Sequence, residues 1–132
     1  MHPNSIVRNP LMNSFKNNPR VILNEPLNYI DLVNTIKSCY LLLTDSGGLQ
    51  EEAPSLGKPV LILRDTTERP EALEAGTAKL IGTTPIKILE ETTQLLLNKK
   101  KYNKMSNAIN PFGDGKASAR ILKECKRYLN LN

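Results

Sequence analysis

The stretch Leu41-Leu42-Leu43-Thr44-Asp45-Ser46-Gly47-Gly48-Leu49-Gln50-Glu51-Glu52 constrains the fold more than any other part of the chain. Residues 41–44 are apolar or β-branched, too few for a helix and without polar alternation. They predict a buried parallel strand. The polar segment that follows starts a helix, with Ser46 or Asp45 as its N-cap. Gly47 and Gly48 carry no side chain where a ligand would approach the backbone. The first turn of a helix presents unpaired N–H groups and a partial positive charge at that same place. Strand, glycine turn and helix N-terminus together are how an α/β domain holds a phosphate. A bare Ser-Gly-Gly is also compatible with a plain strand-to-helix turn, so the motif needs support from its surroundings.

The remaining chain repeats the alternation. Residues 2–19 are rich in asparagine, proline and serine and predict a loop with at most a short helix over 11–16. Val21-Ile22-Leu23 predicts a first strand. Asn28 can cap a helix running to about Ser38, with Tyr29, Leu32, Val33 and Ile36 on one face. The second strand is 40–44, and its helix runs from Gly48 to Leu56, stopped by Gly57 and bent or shortened by Pro54. A third strand over 60–63 leads into a charged loop, 64–69, and Pro70 opens a short helix that stops at Gly76. A fourth strand covers 79–81. Helices follow over 85–98 and 101–107, then a glycine-punctuated turn at 110–115. The last helix, 116–129, carries Ala119, Leu122, Cys125 and Leu129 on its apolar side. Short apolar strands alternating with helices imply an α/β fold with a parallel, Rossmann-like sheet.

Composition excludes several classes. A chain of 132 residues is one ordinary domain and can bury a core. No apolar run approaches bilayer length, and the polar start with Pro3 and Pro10 is not a signal peptide, so a cytoplasmic location is expected. Cys39 and Cys125 have no paired spacing and are expected to be small buried or half-buried residues. With His2 the single histidine, no metal site and no cofactor are expected. The net charge of +5 comes from basic clusters at 99–104 and at Lys116, Arg120, Lys123, Lys126 and Arg127. Aromatic residues are only 5% and no nucleic-acid module is present, so these are solvated helix faces, with neither nucleic acid nor membrane as a partner.

Two longer stretches are far more specific than the glycine turn. Thr44-Asp45-Ser46-Gly47-Gly48-Leu49-Gln50-Glu51-Glu52-Ala53-Pro54-Ser55-Leu56-Gly57-Lys58-Pro59-Val60 and Arg64-Asp65-Thr66-Thr67-Glu68-Arg69-Pro70-Glu71 closely resemble the non-hydrolysing UDP-N-acetylglucosamine 2-epimerases. His2-Pro3-Asn4 and Asn110-Pro111-Phe112-Gly113-Asp114-Gly115-Lys116-Ala117 agree in order and spacing. The resemblance covers essentially the whole chain. It implies a partial second domain of a glycosyltransferase-B type fold, residues 1–132 being a C-terminal UDP-binding domain. By the same resemblance, the opening strands of that domain and the whole N-terminal domain are expected to be absent. The first strands of a doubly wound sheet are central, so their absence is expected to expose strand edges, unless strand 21–23 shifts to pair with 40–44 or another chain fills the gap.

The resemblance also assigns a UDP-sugar substrate and its contacts. Ser46, Gly47 and Gly48 meet the diphosphate, which the physics of the helix N-terminus independently favours. Glu52 takes the ribose hydroxyls, a diol that one carboxylate can accept from twice. Arg69 reaches the diphosphate from a loop at a strand's C-terminal end, with fork geometry suited to phosphate oxygens. Thr67, Glu68 and Glu71 are auxiliary candidates. The stretch bounded by Leu27 and Leu32 flanks the uracil, and Leu32 stands where family members can offer an aromatic ring, which leaves backbone contacts. His2 corresponds to a residue that can reach ligand at the interdomain cleft.

The family inverts C2 of UDP-N-acetylglucosamine, giving UDP-N-acetylmannosamine, by eliminating UDP to a glycal and adding it back. That chemistry needs a general acid and base on the sugar. The family's catalytic carboxylates lie in the other domain, and no residue of 1–132 is assigned the role. The chain is therefore expected to be an epimerase fragment in a cell-surface polysaccharide pathway, active only when completed by a complementary N-terminal fragment. A homodimer is compatible with this reading. A non-catalytic UDP-sugar-binding module and an inactive remnant are the alternatives, and the hydrolysing epimerases share the same nucleotide half.

Overall fold

The computed structural model describes residues 4–130. The chain divides into two compact units, residues 1–38 and 39–132. In the first unit, helix α1 (Ser5–Phe15) starts where the Asn4 side chain accepts the Ile6 N–H at 2.9 Å. Sequence reasoning expected mostly loop here. The Asn4 cap moves the start ahead of Pro10, and the helix passes through that proline although it can donate no bond to the preceding turn. Arg8 pairs with Glu25. Helix α2 (Tyr29–Ser38) begins as the sequence predicts, with Asn28 Oδ1 accepting the Asp31 N–H at 3.0 Å. Asp31 in its first turn and Lys37 in its last complement the helix dipole.

The predicted first strand does not form. The Val21 N–H donates to the Asn18 carbonyl in a turn, and Ile22 is 83% exposed. β-branched residues favour extended backbone, but a strand exists only where a neighbour offers a ladder. Among the described residues the sheet therefore has three strands, not four.

Those strands lie in the second unit: β1 (Leu42–Thr44), β2 (Val60–Ile62) and β3 (Ala78–Leu80). They run parallel in the order β1-β2-β3, with Leu42 opposite Val60 and Val60 opposite Ala78. Every residue of β2 is fully buried, as a central strand covered on both faces must be. Leu61, Ile81 and Leu95 form the core, with Leu41, Leu63, Ile88 and Met105 packed around it. Helix α3 (Gly47–Ser55) ends one residue past Pro54, and Gly57 follows at φ 66°. Helix α4 (Pro70–Glu74) opens on its proline and is followed by Gly76 at φ 76°. Helices α5 (Pro85–Leu97) and α6 (Lys99–Ser106) pack as a pair. Tyr102 of α6 stacks on Tyr40 at 4.1 Å and donates its hydroxyl to the Tyr40 carbonyl.

Helix α7 (Ala117–Tyr128) buries no residue, and its apolar side of Leu122, Cys125 and the following Leu129 is exposed. Cys39 is half-buried as expected, but Cys125 is not, because no element among the described residues covers that side. No described helix is long and apolar enough to cross a membrane.

The weight on β2 is directly measurable. Leu61→Ala removes a fully buried side chain at the centre of the sheet and should cost about 2–5 kcal/mol in urea denaturation. Leu97→Ala, at a position 83% exposed, should stay within about 0.5 kcal/mol of the parent chain. Similar losses for the two would overturn this placing of the core.

Candidate functional site

Parallel pairing brings the C-terminal ends of β1 and β2 side by side, which is where open α/β sheets bind ligands. The first wall is the β1–α3 turn. Thr44 is buried, and its hydroxyl accepts the Ser46 N–H at 3.0 Å. Ser46 takes the N-cap position in extended backbone, at φ −79° and ψ 130°, but its side chain makes no capping bond. The first-turn N–H groups of Gly47, Gly48 and Leu49 precede the first intrahelical bond of α3. A Cβ built on Gly47 or Gly48 would meet nothing within 4 Å, so no other group crowds the side-chain side of this turn. The Ser46 hydroxyl, which makes no capping bond, and the first-turn amides thus lie together at the positive end of α3.

The second wall is the 64–69 loop after β2. Arg64 Nη1 donates to both carboxylate oxygens of Glu68 at 3.0 Å. The Gly82 N–H donates to the Arg64 carbonyl at 3.0 Å. Gly82 sits at φ 68°, and a Cβ there would lie 3.1 Å from Asp65 Oδ1, so the loop is held closely from the β3 side. The Thr67 hydroxyl donates to Gln50 Oε1 at 2.6 Å and accepts the Arg69 N–H at 3.1 Å. Arg69 Nε pairs with Glu51, and its Nη1 donates to the Glu68 carbonyl at 3.2 Å. The Glu51 hydrogen bond and charge raise the Arg69 pKa further, so the guanidinium is permanently charged. The Glu68 carboxyl is held below its usual range by its own backbone amide first and by Arg64 next.

The structure brings most of the expected residues together. Ser46, Gly47, Gly48 and Glu52 lie on the first turns of α3, with Thr67, Glu68 and Arg69 on the adjoining loop. Glu71 stands in the first turn of α4, near enough for its charge to act on Arg69. Glu52 is half-buried, and its Oε2 is enclosed with no hydrogen-bond partner. Such an atom is a site where an incoming donor gains most. Leu27 and Leu32 belong to the first unit, and His2 lies outside the described residues.

Two features escaped sequence reasoning. Arg69 pairs with Glu51 rather than with Glu71, its neighbour along the chain. Gln50, fully buried, holds the loop through Thr67. A signal was present: Gln50, Glu51 and Glu52 are successive on a helix, so each points about 100° from the last and they meet different neighbours. Among the described residues no cluster of three or more His, Cys, Asp or Glu side chains is placed to hold a metal.

Comparison with known proteins places the chain in a family. The family model for UDP-N-acetylglucosamine 2-epimerase matches residues 1–126. The UDP-N-acetylglucosamine 2-epimerase of Bacillus subtilis is 55% identical over 124 residues, covering 94% of this chain and 33% of that protein. The enzyme of that name from Escherichia coli K12 is 52% identical over 126 residues, covering 96% and 34%. Among solved structures, an S. aureus MnaA–UDP co-structure superposes with a TM-score of 0.94 at 48% identity, covering all of this chain and 36% of that one. The UDP-GlcNAc 2-epimerase of Neisseria meningitidis bound to UDP-GlcNAc gives a TM-score of 0.87 at 47% identity, covering 96% and 35%. The chain thus spans about a third of the length of the relatives it matches and corresponds to their C-terminal portion. These neighbours have the glycosyltransferase-B type fold. By sequence and by fold, this chain belongs to the UDP-N-acetylglucosamine 2-epimerase family.

Proposed function

We propose that residues 1–132 are a C-terminal UDP-binding domain that supplies the nucleotide half of a UDP-N-acetylglucosamine 2-epimerase site. The observation that carries this reading is the open row of donors at Ser46, Gly47 and Gly48 with Arg69 on the adjoining wall. An oxyanion set against helix amides and a guanidinium receives charge-assisted hydrogen bonds from both. The complex of the S. aureus relative with UDP supports the same ligand class.

In this reading the diphosphate lies over Ser46, Gly47, Gly48 and Arg69. Glu52 accepts from the ribose hydroxyls, which gives its enclosed Oε2 a partner. Thr67, Glu68 and Glu71 border the diphosphate and sugar. Leu27 and Leu32 as base-flanking positions, and His2 as a ligand contact, rest on the family resemblance. Elimination of UDP across C1 and C2 leaves negative charge on the departing diphosphate. Donors already in place stabilise that charge without reorganising, which is this domain's contribution to the rate. The general acid and base belong to the portion of the family fold that the match does not span. A complementary portion or a second copy closing over the sugar would exclude water from these contacts. A nucleotide-sugar ligand suits the cytoplasm and the making of cell-surface polysaccharide.

Titration calorimetry with UDP and uridine tests the assignments. Arg69→Ala should weaken UDP binding roughly 10- to 100-fold, the worth of a hydrogen bond to a charged group, and leave uridine nearly unchanged. Glu52→Gln should weaken both ligands, since both carry the ribose. Equal losses for UDP and uridine on Arg69→Ala would refute the role given to that arginine.

A coupled assay on the 132-residue chain alone should detect no conversion of UDP-N-acetylglucosamine, because no acid–base pair is assigned within it. Turnover that disappears on changing Ser46 or Arg69 would refute that division of labour.

A further inference from the structure

We infer that Gln50, Glu51 and Thr67 are positioning residues for Arg69, fixing its guanidinium to the same helix that carries the phosphate-binding amides. The inference rests on the UDP reading above for its functional meaning and on the loop geometry for its substance. Arg69 is anchored at three points. Its backbone N–H donates to the Thr67 hydroxyl at 3.1 Å. Its Nε pairs with Glu51. Its Nη1 donates to the Glu68 carbonyl at 3.2 Å. Nη2 makes no bond to another described residue and remains free to donate outward.

Two of those anchors lead back to α3. The Thr67 hydroxyl spends its hydrogen on Gln50 Oε1 at 2.6 Å and its lone pair on the Arg69 N–H, so it relays the helix to the loop. Gln50 is fully buried, and packing holds its amide although Nε2 has no partner. Glu51 is the next residue of the same helix. Gln50 and Glu51 lie within one turn of Gly47 and Gly48, and a helix of fixed rise per residue is rigid over that span. Phosphate amides and phosphate arginine therefore share one rigid body. The Arg69–Glu51 pair is partly solvent-exposed, so its contribution to folding is small. Its consequence is geometric: a guanidinium already held loses less conformational freedom when a phosphate arrives. A glutamate merely complementing the α3 dipole would have no such coupling to Arg69.

The test is a double-mutant cycle on the 132-residue chain, read as UDP and uridine affinities. Thr67→Val keeps the shape and removes both hydroxyl bonds, and Glu51→Ala removes the Nε partner. Each should weaken UDP roughly three- to tenfold and leave uridine unchanged. Thr67→Ser and Glu51→Gln, which retain an acceptor, should recover most of the loss. In the Arg69→Ala background neither Thr67→Val nor Glu51→Ala should weaken UDP further. Losses that persist in that background, or that fall equally on uridine, overturn the inference. A ligand-free readout stands beside the cycle. The Arg69 Nε–H resonance should be protected from solvent exchange in the parent chain and lose protection in Glu51→Ala and Thr67→Val. An Nε–H equally fast in all three overturns the positioning role whatever UDP does. Failure of the UDP reading is distinct from both: the parent chain would then show no UDP response while the Nε–H protection held. Should Thr67→Val unfold, Glu51→Ala at its partly exposed site carries both readouts alone.

Discussion

The parallel pairing of β2 with a strand on each side is the constraint on which the rest depends. Parallel strands all end at one edge, so the turn after β1 and the loop after β2 must emerge together. The fully buried Val60-Leu61-Ile62 supplies the apolar area that pins this arrangement. Without that pairing, Ser46-Gly47-Gly48 and Arg69 would be two unrelated surface features. With it, they stand side by side as the two walls of one candidate site.

The two walls are of different physical kinds. The α3 wall is backbone: a row of first-turn amides and a helix dipole, with glycines leaving the approach open. Its donors cannot swing away, because the helix itself holds them. The loop wall is side chain, and a free arginine on a loop would sample many rotamers. The bonds through Thr67, Glu51 and the Glu68 carbonyl, with Gly82 close against Asp65, remove that freedom. Glu68 is likewise engaged by Arg64, within the loop, while Arg69 pairs with Glu51 of α3. Glu52 Oε2 stays without a partner on the neighbouring helix, beside the first-turn amides of α3.

Where expectation and structure part, the reason is a missing neighbour in two cases and a local helix cap in the third. Val21-Ile22-Leu23 has the residues of a strand and no ladder to join. Helix α7 forms where its apolar period predicts, but Leu122, Cys125 and the adjoining Leu129 face outward because nothing described covers them. Helix α1 begins ahead of its predicted start because one asparagine cap outweighed a loop-like composition.

The sequence by itself determined most of what depends on a few adjacent residues, the Asn4-capped start of α1 excepted. The β1 run, the glycine turn, the start of α2 at Asn28, the proline starts of α4 and α5 and the stops at Gly57 and Gly76 follow from local rules of burial, capping and allowed φ. The resemblance to family motifs singled out Ser46, Gly47, Gly48, Glu52 and Arg69 as candidates in the same way. Only the tertiary structure decided which partner each of these groups would take. Glu71 is two residues from Arg69 and Glu51 eighteen, yet Glu51 holds it. Gln50 reads as an ordinary polar helix residue until the loop closes over it and its oxygen becomes the anchor for Thr67. Local rules set the shape of each element. Pairing between distant side chains is set by which elements the sheet places next to one another, and no short stretch of sequence carries that information.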